Sequence, residues 1–252
     1  MFRSVTLALL ATAVPALASA QTFAFTGASP ANTVGACGMG TPTPCDTRWT
    51  VQSAGVLGNA APNDIAQRQA TLITTPPTPP WQPNGAGYNW IGVSTNANQP
   101  FAQRSGDNAE RYKYLFQHTF TPTAAFLDVA LGWDNRLVSI LQGTVTMDNA
   151  GVVSGGTAVT VTGLTLPQTQ SGFCRNPDGI LPPGDFPNCT VNVRLSGFTP
   201  DVSTTLSIVT FGDGNTDGIL VAPQVVPEPS TYALLATGLA GLGLVARRRR
   251  SA

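Results

Sequence analysis

The sequence predicts an all-β protein, a two-sheet sandwich of jelly-roll type with an N-terminal signal helix and a C-terminal transmembrane helix. Three observations carry this reading. The 252 residues include 26 glycines and 21 prolines but only 10% charged residues, a balance that suits turns and strands. Between the ends, apolar residues alternate in short runs divided by Gly, Asn, Asp and Pro, as half-buried strands do. The longest unbroken apolar stretches lie near the termini.

Residues 1–20 run from Arg3 through the apolar Val5 to Val14 and end on Ala18-Ser19-Ala20. A charged start, a short apolar stretch and small residues before the cut are what a signal peptidase accepts, so cleavage is expected before Gln21. The apolar run of about 10 residues is roughly half of what spans a bilayer. Residues 21–225 form the expected exported domain. Its formal charge is acidic, with 8 bases against 12 acids over residues 21 to 226, which excludes the basic footprint of a nucleic-acid binder.

Within this body, residues 21 to 73 are too few to bury a core alone. The run Thr74 to Pro83 holds five prolines, so it reads as a long extended loop or a linker. Arg111 to Thr121 is the clearest strand, with Tyr112, Tyr114, Phe116, His118 and Phe120 on one face and Lys113, Gln117 and Thr119 on the other. Pro122 ends it. Next, Ala125, Leu127, Val129, Leu131 and Trp133 share a face, and Asp134-Asn135 turns into Leu137 to Leu141, which together suggest an antiparallel meander. Further strands are expected around Thr157 to Leu164, Thr190 to Leu195, Thr204 to Phe211 and Gly218 to Val225, about ten in all. The stretch Tyr112 to Gly143, a strand, an aspartate turn and a strand in succession, is similar to galactose-binding-like domains of exported proteins.

The four cysteines, Cys37, Cys45, Cys174 and Cys189, would reach an oxidising compartment and form disulfides. Three pairings are possible; Cys37 with Cys45 and Cys174 with Cys189 is favoured because neither bridge needs a distant contact. Structural zinc needs closer cysteine spacing and more histidines than the single one present.

Candidate chemistry in the body is sparse. His118 is the one histidine, and its aromatic face suits a core position better than a general base. No GxSxG, HExxH, phosphate-loop or dinucleotide glycine pattern occurs. Asp128 and Asp134 are the weak candidates for a glycosidase pair. The body is therefore read as non-enzymatic, with no required cofactor. Asp213, Asn215 and Asp217 alternate before Gly218 and resemble the first half of a calcium loop, but position twelve is Gln224 instead of a bidentate glutamate. A tight turn explains the same residues. Trp49, Trp81, Trp90, Trp133 and Tyr88 are candidate sugar platforms, Trp81 to Trp90 above all, while Trp133 reads as a core residue; this sets a secreted carbohydrate-binding module beside a structural or adhesive role. A secreted hydrolase is the third reading.

Residues 226–252 form a tail in three parts. Val226, Pro227, Glu228, Pro229, Ser230 and Thr231 should stay extended, since two prolines fix φ and cannot donate hydrogen bonds. Residues 232–246 are apolar and helical in lipid, spanning about 22 Å at 1.5 Å per residue. Ala233, Thr237 and Gly241 would give that helix a small-residue stripe on which a membrane partner could pack. Arg247, Arg248, Arg249 and Arg250 hold the end in the cytoplasm, which puts residues 21 to 231 outside the inner membrane. In this order, Pro227-Glu228-Pro229, the glycine-bearing apolar run and the arginine cluster resemble the PEP-CTERM family of bacterial sorting tails, also catalogued as the ice-binding protein C-terminal domain. The resemblance covers Val226 to Ser251. It implies an exosortase that cuts near the motif after the inner membrane has held the chain transiently, with release to the cell envelope or extracellular matrix. It says nothing about ice binding by the body. Signal peptidase and exosortase are thus the expected processing partners, and extracellular polysaccharide a further one.

Overall fold

The computed structural model describes residues 23–33, 37, 43–55, 65–74, 76, 84–93, 112–134, 136–168, 190–212 and 217–224. The expected signal segment, the sorting tail, Cys174, Cys189, Asp213, Asn215 and Trp81 lie outside them. The described residues form strands and connections with no helix, so the all-β reading holds. In chain order the strands are β1 (Pro30–Thr33), β2 (Thr43–Gly55), β3 (Ile65–Leu72), β4 (Ile91–Gly92), β5 (Tyr112–Phe120) and β6 (Phe126–Asp134). They continue with β7 (Arg136–Met147), β8 (Val153–Ala158), β9 (Thr160–Thr162), β10 (Val191–Ser196), β11 (Thr204–Gly212) and β12 (Gly218–Pro223).

Hydrogen bonding joins eleven of these in one antiparallel order, β8-β7-β11-β5-β2-β3-β4-β12-β6-β10-β9, with β1 on β2. One sheet stands where two sheets of jelly-roll type were expected, and the reason is local. Two-residue β4 pairs β3 through Thr71–Gly92 and Leu72–Ile91, and β12 through Ile91–Ile219. Without that stitch the strands would divide into a seven-strand half, counting β1, and a four-strand half. At the other side, only Val159 separates β8 from β9, the two ends of the order. Its N–H reaches the Ile140 carbonyl at 3.0 Å and its side chain is buried in the core, so the sheet curls until its ends almost meet.

The expected meander does not form. β5 lies between β2 and β11, β6 between β12 and β10, and β7 between β11 and β8. The short connections after Phe120 and Asp134 carry the chain to the other half of the sheet instead of back along a neighbour. The face assignments survive this change. Tyr112, Tyr114, Phe116 and Phe120 of β5 share one core cluster with Val129, Leu131 and Trp133 of β6, as period-two alternation requires. Each large apolar side chain fully buried there contributes about 1.5–3 kcal/mol.

Residues 23–29 complete the core from the N-terminal side. Phe23 and Phe25 pack against it, Thr26 N donates to the Val221 carbonyl at 3.0 Å, and Val221 N donates to Thr26 Oγ1 at 3.0 Å. The first described residues therefore flank β12, the last strand before the tail. The proline-rich segment leaves at Ile73 and returns at Asn84, whose Nδ2 donates to the Ile73 carbonyl at 2.9 Å, so its two flanks are tied within one body.

A second apolar cluster lies on the outer face, where Val145 and Met147 of β7 cover Leu115, Val209 and Ala54. Gly143 sits at φ 90°, a left-handed conformation that costs glycine little, and β7 bends there so that its second half folds over β5 and β2. Two amides pin it: Gln52 Nε2 donates to the Met147 carbonyl at 2.7 Å and Gln117 Nε2 to the Val145 carbonyl at 3.1 Å. Residues 144–158 are thus a hairpin flap over the sheet.

Candidate functional site

His118 is placed by β5 on the inward face, where it is 1% exposed. Its Nε2 accepts the Ala24 N–H at 3.0 Å, and Nδ1 lies 3.1 Å from the Arg48 carbonyl, which can only accept. The partners therefore set the neutral tautomer protonated at Nδ1. Trp49 and Phe120 stack on the ring at 5.2 and 5.7 Å between centroids, and Phe23 meets it edge-on. Burial pushes its pKa down to about 4. Uncharged, sealed and with both nitrogens engaged, this histidine offers no base to solvent, and the hydrolase reading loses its best candidate. Neighbouring Asp46, also buried, accepts the backbone N–H groups of Gly27, Arg48 and Trp49 at 2.5, 2.8 and 3.1 Å. Burial raises its pKa against the lowering effect of those bonds. Sequence reasoning missed Asp46; an aspartate two residues before Arg48 has the spacing of an Asx turn.

The carboxylate pair also fails on geometry. Asp128 and Asp134 lie six residues apart on one strand, about 20 Å, whereas glycosidase carboxylates stand about 5–9.5 Å apart. Asp128 is taken by Arg194 of β10 through two 2.7 Å bonds, which hold its pKa below the usual carboxylate value. The same guanidinium lies 4.2 Å above the ring of Phe126, which is 42% exposed. Of the calcium candidates, Asp217 is described, and it turns inward at 1% exposure to accept the Tyr114 hydroxyl at 2.8 Å. Among the described residues, no group of three or more His, Cys, Asp or Glu could hold a metal ion.

Three of the sugar-platform candidates are withdrawn by burial: Trp49, Trp90 and Trp133 are core residues, and Tyr88 is half-buried against Trp90. The Cys37–Cys45 disulfide forms as expected, with Cα atoms 6.0 Å apart, and secures the start of β2.

What the strands do assemble is a polar groove of about 280 Å³ on the outer face, at the root of the flap. Thr50, Gln117 and Ser207 face one another across β2, β5 and β11, since Gln117 pairs with both others in the register. Gln67 Nε2 donates to Thr50 Oγ1 at 3.1 Å and Gln117 Oε1 at 2.8 Å, while Gln117 Nε2 donates to Ser207 Oγ at 2.9 Å. One step along, Thr119 and Thr205 pair with hydroxyls 2.8 Å apart. Arg48 lines the same groove. The polar outward positions of β5 were legible in the sequence; their partners on β2 and β11 were not.

The described body ends on Gln224, whose Nε2 donates to the Val129 and Val193 carbonyls at 3.2 and 2.9 Å. Fold and terminal chemistry together define an antiparallel β body followed at once by a proline-led, apolar and basic segment. The family model of the PEP-CTERM protein-sorting motif matches residues 225–250, which include the Pro227-Glu228-Pro229 core and the four arginines. That match supports an exosortase-sorted, exported protein with a cell-envelope or extracellular fate. No curated protein and no solved structure matches the chain significantly.

Proposed function

We propose that residues 21–225 are a non-enzymatic structural or adhesive body that the tail delivers to the cell surface. The signal segment exports it, the tail holds it briefly at the inner membrane, and removal of the tail releases it. One observation carries this reading: the last strand closes at Pro223 with Gln224 fastened to the sheet, and the sorting match begins at residue 225. Body and tail thus abut without sharing a strand. Calcium has no role in the proposal, because Asp217 serves Tyr114.

Mass spectrometry of the mature C-terminus tests it. Loss of the arginine tail near Pro229 supports sorting, and an intact tail means permanent anchorage. Deleting residues 226–252 should abolish membrane retention while the β-rich circular dichroism of the remainder persists. Unchanged fractionation would refute the role of the tail. Carbohydrate binding remains the second reading, now favoured by the polar groove and no longer by the buried tryptophans.

A further inference from the structure

We propose that the groove between the flap and strands β2, β5 and β11 binds an acidic glycan, a hydroxyl-rich chain with a carboxylate that pairs with Arg48. The proposal rests on the adhesive reading of the body and gives it a ligand class.

The outer face presents two cross-strand rows. Thr50, Gln117 and Ser207 form one, of which Thr50 and Gln117 line the groove while Ser207 is fully buried and holds Gln117 in place. Arg48, Thr119 and Thr205 form the other, since Trp49 pairs with His118 and each row member sits one residue further along. Adjacent strands are about 4.8 Å apart and positions two residues apart along a strand are about 7 Å apart, a lattice on the scale of a sugar ring. The row members that bond one another are already fixed in place, so a ligand need not order them. Each threonine hydroxyl keeps spare capacity, because it can donate once and accept twice.

Arg48 supplies the discrimination. Among the described residues its guanidinium has no hydrogen-bond partner and no acid lines the groove; Asp46, which feels its charge, is buried and bonded to three backbone N–H groups. A fork of N–H donors at the end of a hydroxyl row suits a planar carboxylate that can accept two bonds. The other ligand classes fit worse. A nucleic-acid backbone gains affinity with the number of phosphates neutralised and would meet one cation here, whereas the glycan needs one carboxylate paired and takes its other bonds from hydroxyls on the threonines. Among the described lining residues Val145 alone is aliphatic, so an apolar ligand finds little to cover it. An extended peptide would need an open strand edge, yet β2, β5 and β11 are paired on both sides. At about 280 Å³ the groove admits a sugar unit and excludes a folded partner. Since no aromatic ring lines it among the described residues, recognition runs through hydroxyls and carboxylate instead of stacked ring faces.

The test uses the full chain in detergent, with oligogalacturonate, neutral dextran and inorganic sulfate as probes in titration calorimetry. Oligogalacturonate should bind saturably and neutral dextran should not. Arg48→Gln should weaken oligogalacturonate binding about tenfold or more, and Thr205→Val about threefold, as loss of a charge-assisted and a neutral hydrogen bond predicts. Added salt should weaken binding only modestly, since one charge pair is at stake. Circular dichroism of both variants checks that they fold. Absence of saturable binding to wild type, equal binding by Arg48→Gln, or equal affinity for dextran or sulfate alone would each overturn the proposal. Arg48→Gln should still lose its C-terminal tail in cells, so a failed groove and a failed sorting reading give different results.

Discussion

Acidification is a direct probe of the buried aromatic cluster, because its centre is a titratable ring held neutral. The pKa of His118 falls from an ordinary 6.5 to about 4 in the folded protein, chiefly because burial disfavours the imidazolium. Between those values the unfolded chain binds a proton that the folded chain refuses, so stability falls as pH drops through 6.5 and levels off below about 4. At about 1.4 kcal/mol per pH unit, lowering the pH from 7 to 5 should cost about 2 kcal/mol, and the full shift about 3 kcal/mol. Asp46 acts in the opposite sense: its raised pKa lets the folded state keep a proton longer, which adds stability as pH falls toward the ordinary carboxylate value. The His118 contribution is therefore isolated by comparison with His118→Gln, which retains an acceptor for Ala24 N–H and a donor for the Arg48 carbonyl but cannot titrate. Urea unfolding from pH 7.5 to 4.5 measures both. The wild-type free energy should fall about 2 kcal/mol more than that of the variant between pH 7 and 5. Parallel curves, or a wild type that gains on the variant with acid, would refute the buried neutral histidine.

Three further outcomes follow from the packing. Cys45→Ser opens a bridge that spans 8 positions in sequence and should cost about 2.5 kcal/mol, with reductant destabilising wild type more than the variant in urea melts. Tyr114→Phe removes a donor from the buried Asp217 carboxylate and should destabilise by about 1.5–3 kcal/mol; millimolar calcium should leave the melting temperature of wild type unchanged, and a clear rise would restore the cation-loop reading. In β6, Gly132→Ala would place Cβ 2.6 Å from Trp90 Cη2, so overpacking should cost about 1–3 kcal/mol, measurable as a lower urea midpoint.

Much of the fold was written in the chain as alternation. The inward row Tyr112 to Phe120, its end at Pro122 and the later strands at 191–196, 204–212 and 218–223 follow from period two and turn residues, which are local properties. Strands β1 to β4 were harder. β2 mixes Asp46, Thr47 and Arg48 with its apolar residues, and β4 is two residues long, too short for any pattern to register. Of the candidate residues, the local disulfide and the core position of His118 were readable from spacing and neighbours. Trp133 was readable as core from its strand face, but Trp49 and Trp90 were not, because an indole looks alike in sequence whether it faces sugar or core.

By itself, then, the sequence determined the sorting tail and the strand faces, since both depend on residues close together in the chain. Only the tertiary structure decided which strands became neighbours. Antiparallel pairing can join any two compatible strands, and the choice lies in contacts between distant segments: Ile91 stitching the halves, Val159 drawing the ends together, Thr26 locking the last strand. The groove arises the same way. Thr50, Gln117 and Ser207 stand far apart in the chain, and register alone sets them side by side.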